Sequence, residues 1–125
     1  MQKETQRCIS KANKDLTTAG FALQSIDGPL PVTTALHCQK AAENYLKAFL
    51  HEQQRAFTNQ HSLTVLFESC HSIDNSFEAL RNEISRLEGY SVAFRYPKAS
   101  ESLKFRKEAL ATAERVKQFV ISRLT

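Results

Sequence analysis

Apolar residues return at steps of three and four along most of the chain, the spacing that lines one face of an α-helix. Ile9, Ala12, Leu16, Ala19 and Leu23 predict an opening helix from about Lys3 to Gln24, with Lys3, Lys11 and Lys14 facing water. The stretch Asp27-Gly28-Pro29-Leu30-Pro31 ends it, because proline lacks a backbone donor and biases the residue before it away from helix. A second helix is expected from about Val32 to Gln54, where Ala35, Cys38, Ala42, Tyr45 and Phe49 form a stripe flanked by Leu46 and Leu50. So wide an apolar face suits a central helix, and Ala35, Ala41, Ala42 and Ala48 would let a neighbour approach closely. Arg55 to Gln60 reads as the next connection.

A short third helix is expected to begin at His61 or Ser62, to carry Leu63, Leu66, Phe67 and Cys70, and to stop near Ser72. Asp74 or Asn75 can cap a fourth, in which Phe77, Leu80, Ile84 and Leu87 step by three and four, with Gly89 as its C-terminal stop. Tyr90 to Ser100 contains Pro97 and reads as a loop. A last helix, from about Glu101 to Leu124, buries Leu103, Leu110, Ala113, Val116 and Val120. Short loops make successive helices antiparallel neighbours, so the expected fold is all-α: an up-and-down four-helix bundle with one additional short helix, forming one domain over residues 1–125.

Composition narrows this further. Three glycines and three prolines supply few sharp turns, which argues against sandwiches and barrels. A chain of 125 residues can bury a single apolar core without staples. Cys8, Cys38 and Cys70 are odd in number and form no Cys-x-x-Cys pair, so they read as buried small hydrophobes. His37, Cys38, Cys70 and His71 have no standard ligand spacing, and no metal or cofactor is expected. The three glycines make no phosphate-cradling pattern. The N-terminus has no apolar signal region and no run approaches membrane-spanning length, so a cytoplasmic location is expected.

Charge is uneven. Residues 1–79 carry seven Lys/Arg against eight Asp/Glu, whereas residues 80–125 carry ten against five. A basic C-terminal third favours phosphate, nucleic acid or an acidic protein face, or is simply a solvated helix surface.

Three blocks stand out in order: Leu36 to Leu50 (LHCQKAAENYLKAFL), His61-Ser62-Leu63, and Tyr90 to Pro97 (YSVAFRYP). Together with Ala12, Asp15, Leu16 and Ala19 in the first helix, they resemble the HEPN domain family, named for higher eukaryote and prokaryote nucleotide binding. The resemblance covers nearly the whole chain. It implies a small helical bundle, often dimeric, frequently encoded beside a minimal nucleotidyltransferase in toxin–antitoxin-like systems of bacteria and archaea. Some relatives are RNA-cleaving toxins; others resemble nucleotide-binding or purely structural modules.

The ribonuclease branch of that family is marked by an arginine followed after four to six residues by a histidine, and Arg55-Ala-Phe-Thr-Asn-Gln-His61 has this spacing. Histidine can move the proton of a 2′-hydroxyl while arginine holds the scissile phosphate, which requires no metal. Ala56 stands where that branch usually has a polar residue, and His61-Ser-Leu aligns better with the branch in which the histidine begins a short helix. The other assignment for this pair is structural, with Arg55 complementing a helix C-terminus and His61 organising the next helix.

Arg95, Tyr96 and Lys98, with Lys104, Arg106 and Lys107 at the start of the last helix, offer bidentate phosphate contacts and a stacking face. In the alternative, Tyr90, Phe94 and Tyr96 pin the loop while Arg95 pairs with Glu88 or Glu101. The favoured reading is a non-enzymatic module that binds nucleotide or nucleic-acid phosphate or docks a nucleotidyltransferase partner. The alternative is a metal-independent endoribonuclease that uses Arg55 and His61. Surplus apolar faces predict a homodimer.

Overall fold

The computed structural model describes residues 1–24, 30–57, 62–93 and 99–124. Its elements are α1 (Lys3–Gln24), α2 (Leu30–Glu52), α3 (Leu63–Ile73), a 3-10 turn (Asn75–Leu80), α4 (Arg81–Ala93) and α5 (Ala99–Leu124). No described residue lies in a strand. No described helix is long and apolar enough to cross a membrane.

The expected all-α bundle is observed, and α2 is its hub, touching every other helix. The reason lies in its composition. Ala35, Ala41, Ala42 and Ala48 are all buried, and their small side chains let α1 and α5 pack close to the α2 backbone. Tyr45, Leu46, Phe49 and Leu50 fill the space towards the other elements. Antiparallel pairing of α1 and α2 is fixed by three polar ties. Thr5 meets Glu52, Asn13 accepts from the Tyr45 hydroxyl, and Asp15 meets His37 at 2.9 Å, so α2 positions descend as α1 positions rise.

An aromatic chain links α2, the 3-10 turn and α5. The Phe77 ring lies 4.6 Å from that of Phe49 and 5.0 Å from that of Phe119, centroid to centroid and edge-tilted, the arrangement aromatic quadrupoles favour. Opposite it, Cys70 of α3 packs on the Leu46 carbonyl.

Several boundaries differ from those expected. Helix α2 starts at Leu30, with Pro31 inside its first turn, where a missing N–H leaves no helical bond unmade. Asp74 caps as predicted, but it caps a 3-10 turn, accepting from the Ser76 amide and hydroxyl before α4 begins at Arg81. Gly89 does not stop α4, which continues through Tyr90 to Ala93. The sequence after Gly89 carries no proline until Pro97, so nothing forces the helix to end there. Helix α5 begins at Ala99, two residues before the expected start. Ile9, Leu23 and Leu110 are only partly buried, while Thr5, Cys8 and Ala22 are buried in the bundle.

Candidate functional site

The end of α2 is built by a hydrogen-bonded reversal. The Gln54 amide donates to the His51 carbonyl at 3.0 Å and the Arg55 amide donates to the Leu50 carbonyl at 2.9 Å. These are the paired bonds of a Schellman motif, which requires a left-handed residue at its centre. Gln54 supplies it, with φ of 56°, at a position where glycine would be free of strain. Arg55 therefore emerges from a turn whose backbone groups are already paired.

Beyond this turn lies an open depression of about 620 Å³, lined by Gln2, His51, Gln54, Arg55, Ala56 and Phe57. The His51 ring meets the edge of Phe57 at 4.9 Å between centroids, and Phe57 rests against the core. The end of α2 is tied to the start of the chain: both the Gln2 amide, just before α1, and the Thr5 hydroxyl, within it, donate to Glu52 at 2.9 Å. Those bonds hold the Glu52 carboxyl below the usual carboxylate range, the Gln2 amide contributing most.

Arg55 is exposed, and among the described residues its guanidinium has no ion pair. Most other arginines differ. Arg7 meets Glu4, Arg81 grips Glu68 and Glu78, Arg115 meets Glu83, and Arg123 lies over Phe119. An unpaired guanidinium has no partner to surrender before it grips an incoming phosphate.

His61 lies outside the described residues, as do Phe94, Arg95, Tyr96 and Lys98. Its neighbour Ser62 caps α3 by accepting from the Val65 amide, and Glu88 of α4 accepts from the Ser62 hydroxyl at 3.1 Å and the Leu63 amide at 3.4 Å. A carboxylate at a helix N-terminus complements the helix dipole. Glu88 is thus engaged at the start of α3.

At the start of α5, Lys104 and Lys107 are exposed and lie one turn apart. Arg106 is half-buried and donates to the Ala22 carbonyl at 3.2 Å, which ties α5 to the end of α1. The α5 cations and Arg55 are not brought together. Arg106 reaches residue 22 of α1 while the Arg55 depression reaches residue 2, so the two regions lie at opposite ends of α1, roughly 30 Å apart at 1.5 Å per residue.

His37 and His71 are engaged by Asp15 and Glu78, at 2.9 and 3.2 Å. Burial pushes the Cys38 and Cys70 thiols up to about 12. Among the described residues no group of three or more His, Cys, Asp or Glu gathers as a metal site would.

His51 and Gln54 do not stand out in the sequence. The available signal is that His51 stands four residues before Arg55, close to one helical turn, at the predicted end of a helix. Nothing in a glutamine marks a left-handed position, so Gln54 carries no signal.

The HEPN domain family model matches residues 5–124, and the chain belongs to the HEPN family. No curated protein and no solved structure matches it.

Proposed function

We propose that this HEPN domain binds the phosphate of a nucleotide or an RNA, with Arg55 as its anchor. The observation that carries the reading is the exposed Arg55 guanidinium, unpaired among the described residues, on a hydrogen-bonded turn at the rim of an open depression. Arginine presents a planar fork that grips phosphate oxygens in pairs, and a turn already held by its own bonds lowers the ordering cost of doing so. Lys104 and Lys107, beside Arg106, form a second basic region, too far along α1 to serve the same phosphate as Arg55.

Cleavage is the second reading, and the same observation favours it: a metal-independent endoribonuclease in which Arg55 stabilises the phosphate and His61 transfers the proton. Purified protein incubated with mixed RNA in EDTA, beside Arg55→Ala and His61→Ala variants of verified helicity, separates the two. Cleavage lost in both variants makes the domain a nuclease. RNA binding without cleavage, weakened by Arg55→Ala, makes it a binding module, and binding indifferent to Arg55→Ala overturns both readings.

The domain also acts, on this reading, as a homodimer or beside a nucleotidyltransferase partner. Phe21, Leu36 and Val65 are large apolar side chains left exposed on α1, α2 and α3, which supports association. Light scattering at tens of micromolar tests it, and a strictly monomeric mass removes the homodimer.

A further inference from the structure

Among the described residues, α2 borders a second opening besides the depression beside Arg55. A groove of about 470 Å³ between α1 and α2 is lined by Lys11, Lys40 and Lys47, together with Leu36, Gln39, Asn44 and the largely buried Glu43. Its charged groups are three ammoniums and one carboxylate, so it is net positive although residues 1–79 as a whole are not. Lys11 of α1 lines the same groove as Lys40 and Lys47 of α2, so cations from both helices border one surface.

The helical period joins the two depressions. Lys40, Asn44, Lys47 and His51 follow at intervals of four, three and four residues, and at 100° per residue they fall within one narrow stripe of α2. The stripe runs roughly 16 Å along the helix axis and delivers into the depression that His51 shares with Arg55. None of its members is buried.

We infer that this stripe is a track for single-stranded nucleic acid, with phosphates of one strand on Lys40, Lys47 and Arg55 and with Lys11 on the flank. The inference rests on the phosphate-binding reading above and extends it from one phosphate to a polyanion. Geometry and charge select the ligand. A mononucleotide engages one end of a track this long and leaves the other cations unused. A duplex is too wide for a groove between helices whose axes pack 8–10 Å apart, about the closeness ridge packing gives. A single strand is narrow, repeats its charge along its length and follows a line of cations by phosphate contact, independent of base sequence.

The test is fluorescence anisotropy with a labelled oligouridine twelve residues long, titrated at several salt concentrations. Each phosphate contact on a single strand contributes about −0.7 to the slope of log K against log salt. Four contacts predict a wild-type slope near −2.8, by the same relation. Lys40→Ala and Lys47→Ala should each make it shallower by about 0.7, with several-fold weaker binding and unchanged helicity. Uridine monophosphate and a duplex of equal length should compete poorly. Wild-type slopes in both lysine variants, with Arg55→Ala or Lys104→Ala and Lys107→Ala weakening binding, overturn the track and leave phosphate binding standing. Equal competition by the duplex also overturns it. If the oligomer does not bind at all, the track falls, and direct titration with a labelled nucleotide, with and without Arg55→Ala, decides whether the phosphate-binding reading stands.

Discussion

The Thr5 hydroxyl donates to the Glu52 carboxylate over 2.9 Å, and this contact joins the first turn of α1 to the last turn of α2. Thr5 is fully buried, so the bond closes the bundle at the end where the Arg55 depression opens. It also makes stability depend on pH. The folded Glu52 carboxyl is held below its unfolded value, principally by the Gln2 amide and then by Thr5. Its contribution is therefore complete above the unfolded carboxyl value, near 4.3, and disappears as pH falls through the lower folded value. Asp74, held down by Ser76, and Glu78, held down by Arg81, act in the same sense. Melting temperature should fall between pH 5 and 3, and the fall should be smaller in Glu52→Gln, whose melting temperature at pH 7 starts lower. A variant that tracks wild type across that range would show that Glu52 has no part in the pH dependence.

Two glycine exchanges should both stabilise, for opposite reasons. Gly89 sits within α4, and a Cβ there would meet nothing within 4 Å. Gly89→Ala should add about 0.5–1 kcal/mol by removing backbone freedom from the unfolded chain. Gln54 holds a left-handed conformation, so Gln54→Gly should relieve about 1 kcal/mol of strain. Gln54→Val should destabilise. Urea unfolding midpoints measure all three.

The Phe77 ring joins α2 to α5 through Phe49 and Phe119 and has no exposed surface. Phe77→Ala should cost about 3–5 kcal/mol, because the cavity cannot close when three elements meet at it. Phe77→Leu should cost markedly less. Thermal melts of the two, both read against wild type, decide whether this aromatic chain is the centre of the core.

Cys8, Cys38 and Cys70 are free and buried, and desolvation raises all three thiols. Alkylation by iodoacetamide at pH 7.5 should be slow in the folded protein and should accelerate with urea across the unfolding transition. Fast labelling in native buffer would contradict the packing described for α2 and α3. The same assay gives a second, independent reading of the Phe77 and Gln54 variants.

The helices are legible in the sequence because burial follows the helical period so closely in α2, where Ala35, Cys38, Ala42, Tyr45 and Phe49 are all inside. Gly89 misleads because glycine ends a helix only when a left-handed residue is needed, and α4 continues past it. The reversal that does need one uses Gln54, which gives no sign of it in sequence. Arg55 is marked by its spacing to His61, whereas its unpaired state among the described residues becomes visible only once the acidic partners of Arg7, Arg81 and Arg115 are located. The lysine groove is hidden by arithmetic. Charge summed over residues 1–79 nearly cancels, but Glu52, Glu68 and Glu78 point into bonds with other elements while Lys11, Lys40 and Lys47 line one surface.

The hub position of α2 also bears on how this domain can diverge. Most of its circumference is committed to packing against α1, α3, α4 and α5, and replacements there disturb several contacts at once. The stripe of Lys40, Asn44 and Lys47 lines an open groove and belongs to no part of the core. Descendants of this fold can rewrite the chemistry of that strip, from basic to neutral or acidic, without rebuilding the bundle beneath it. One rigid helix thus offers evolution a fixed frame and an editable edge.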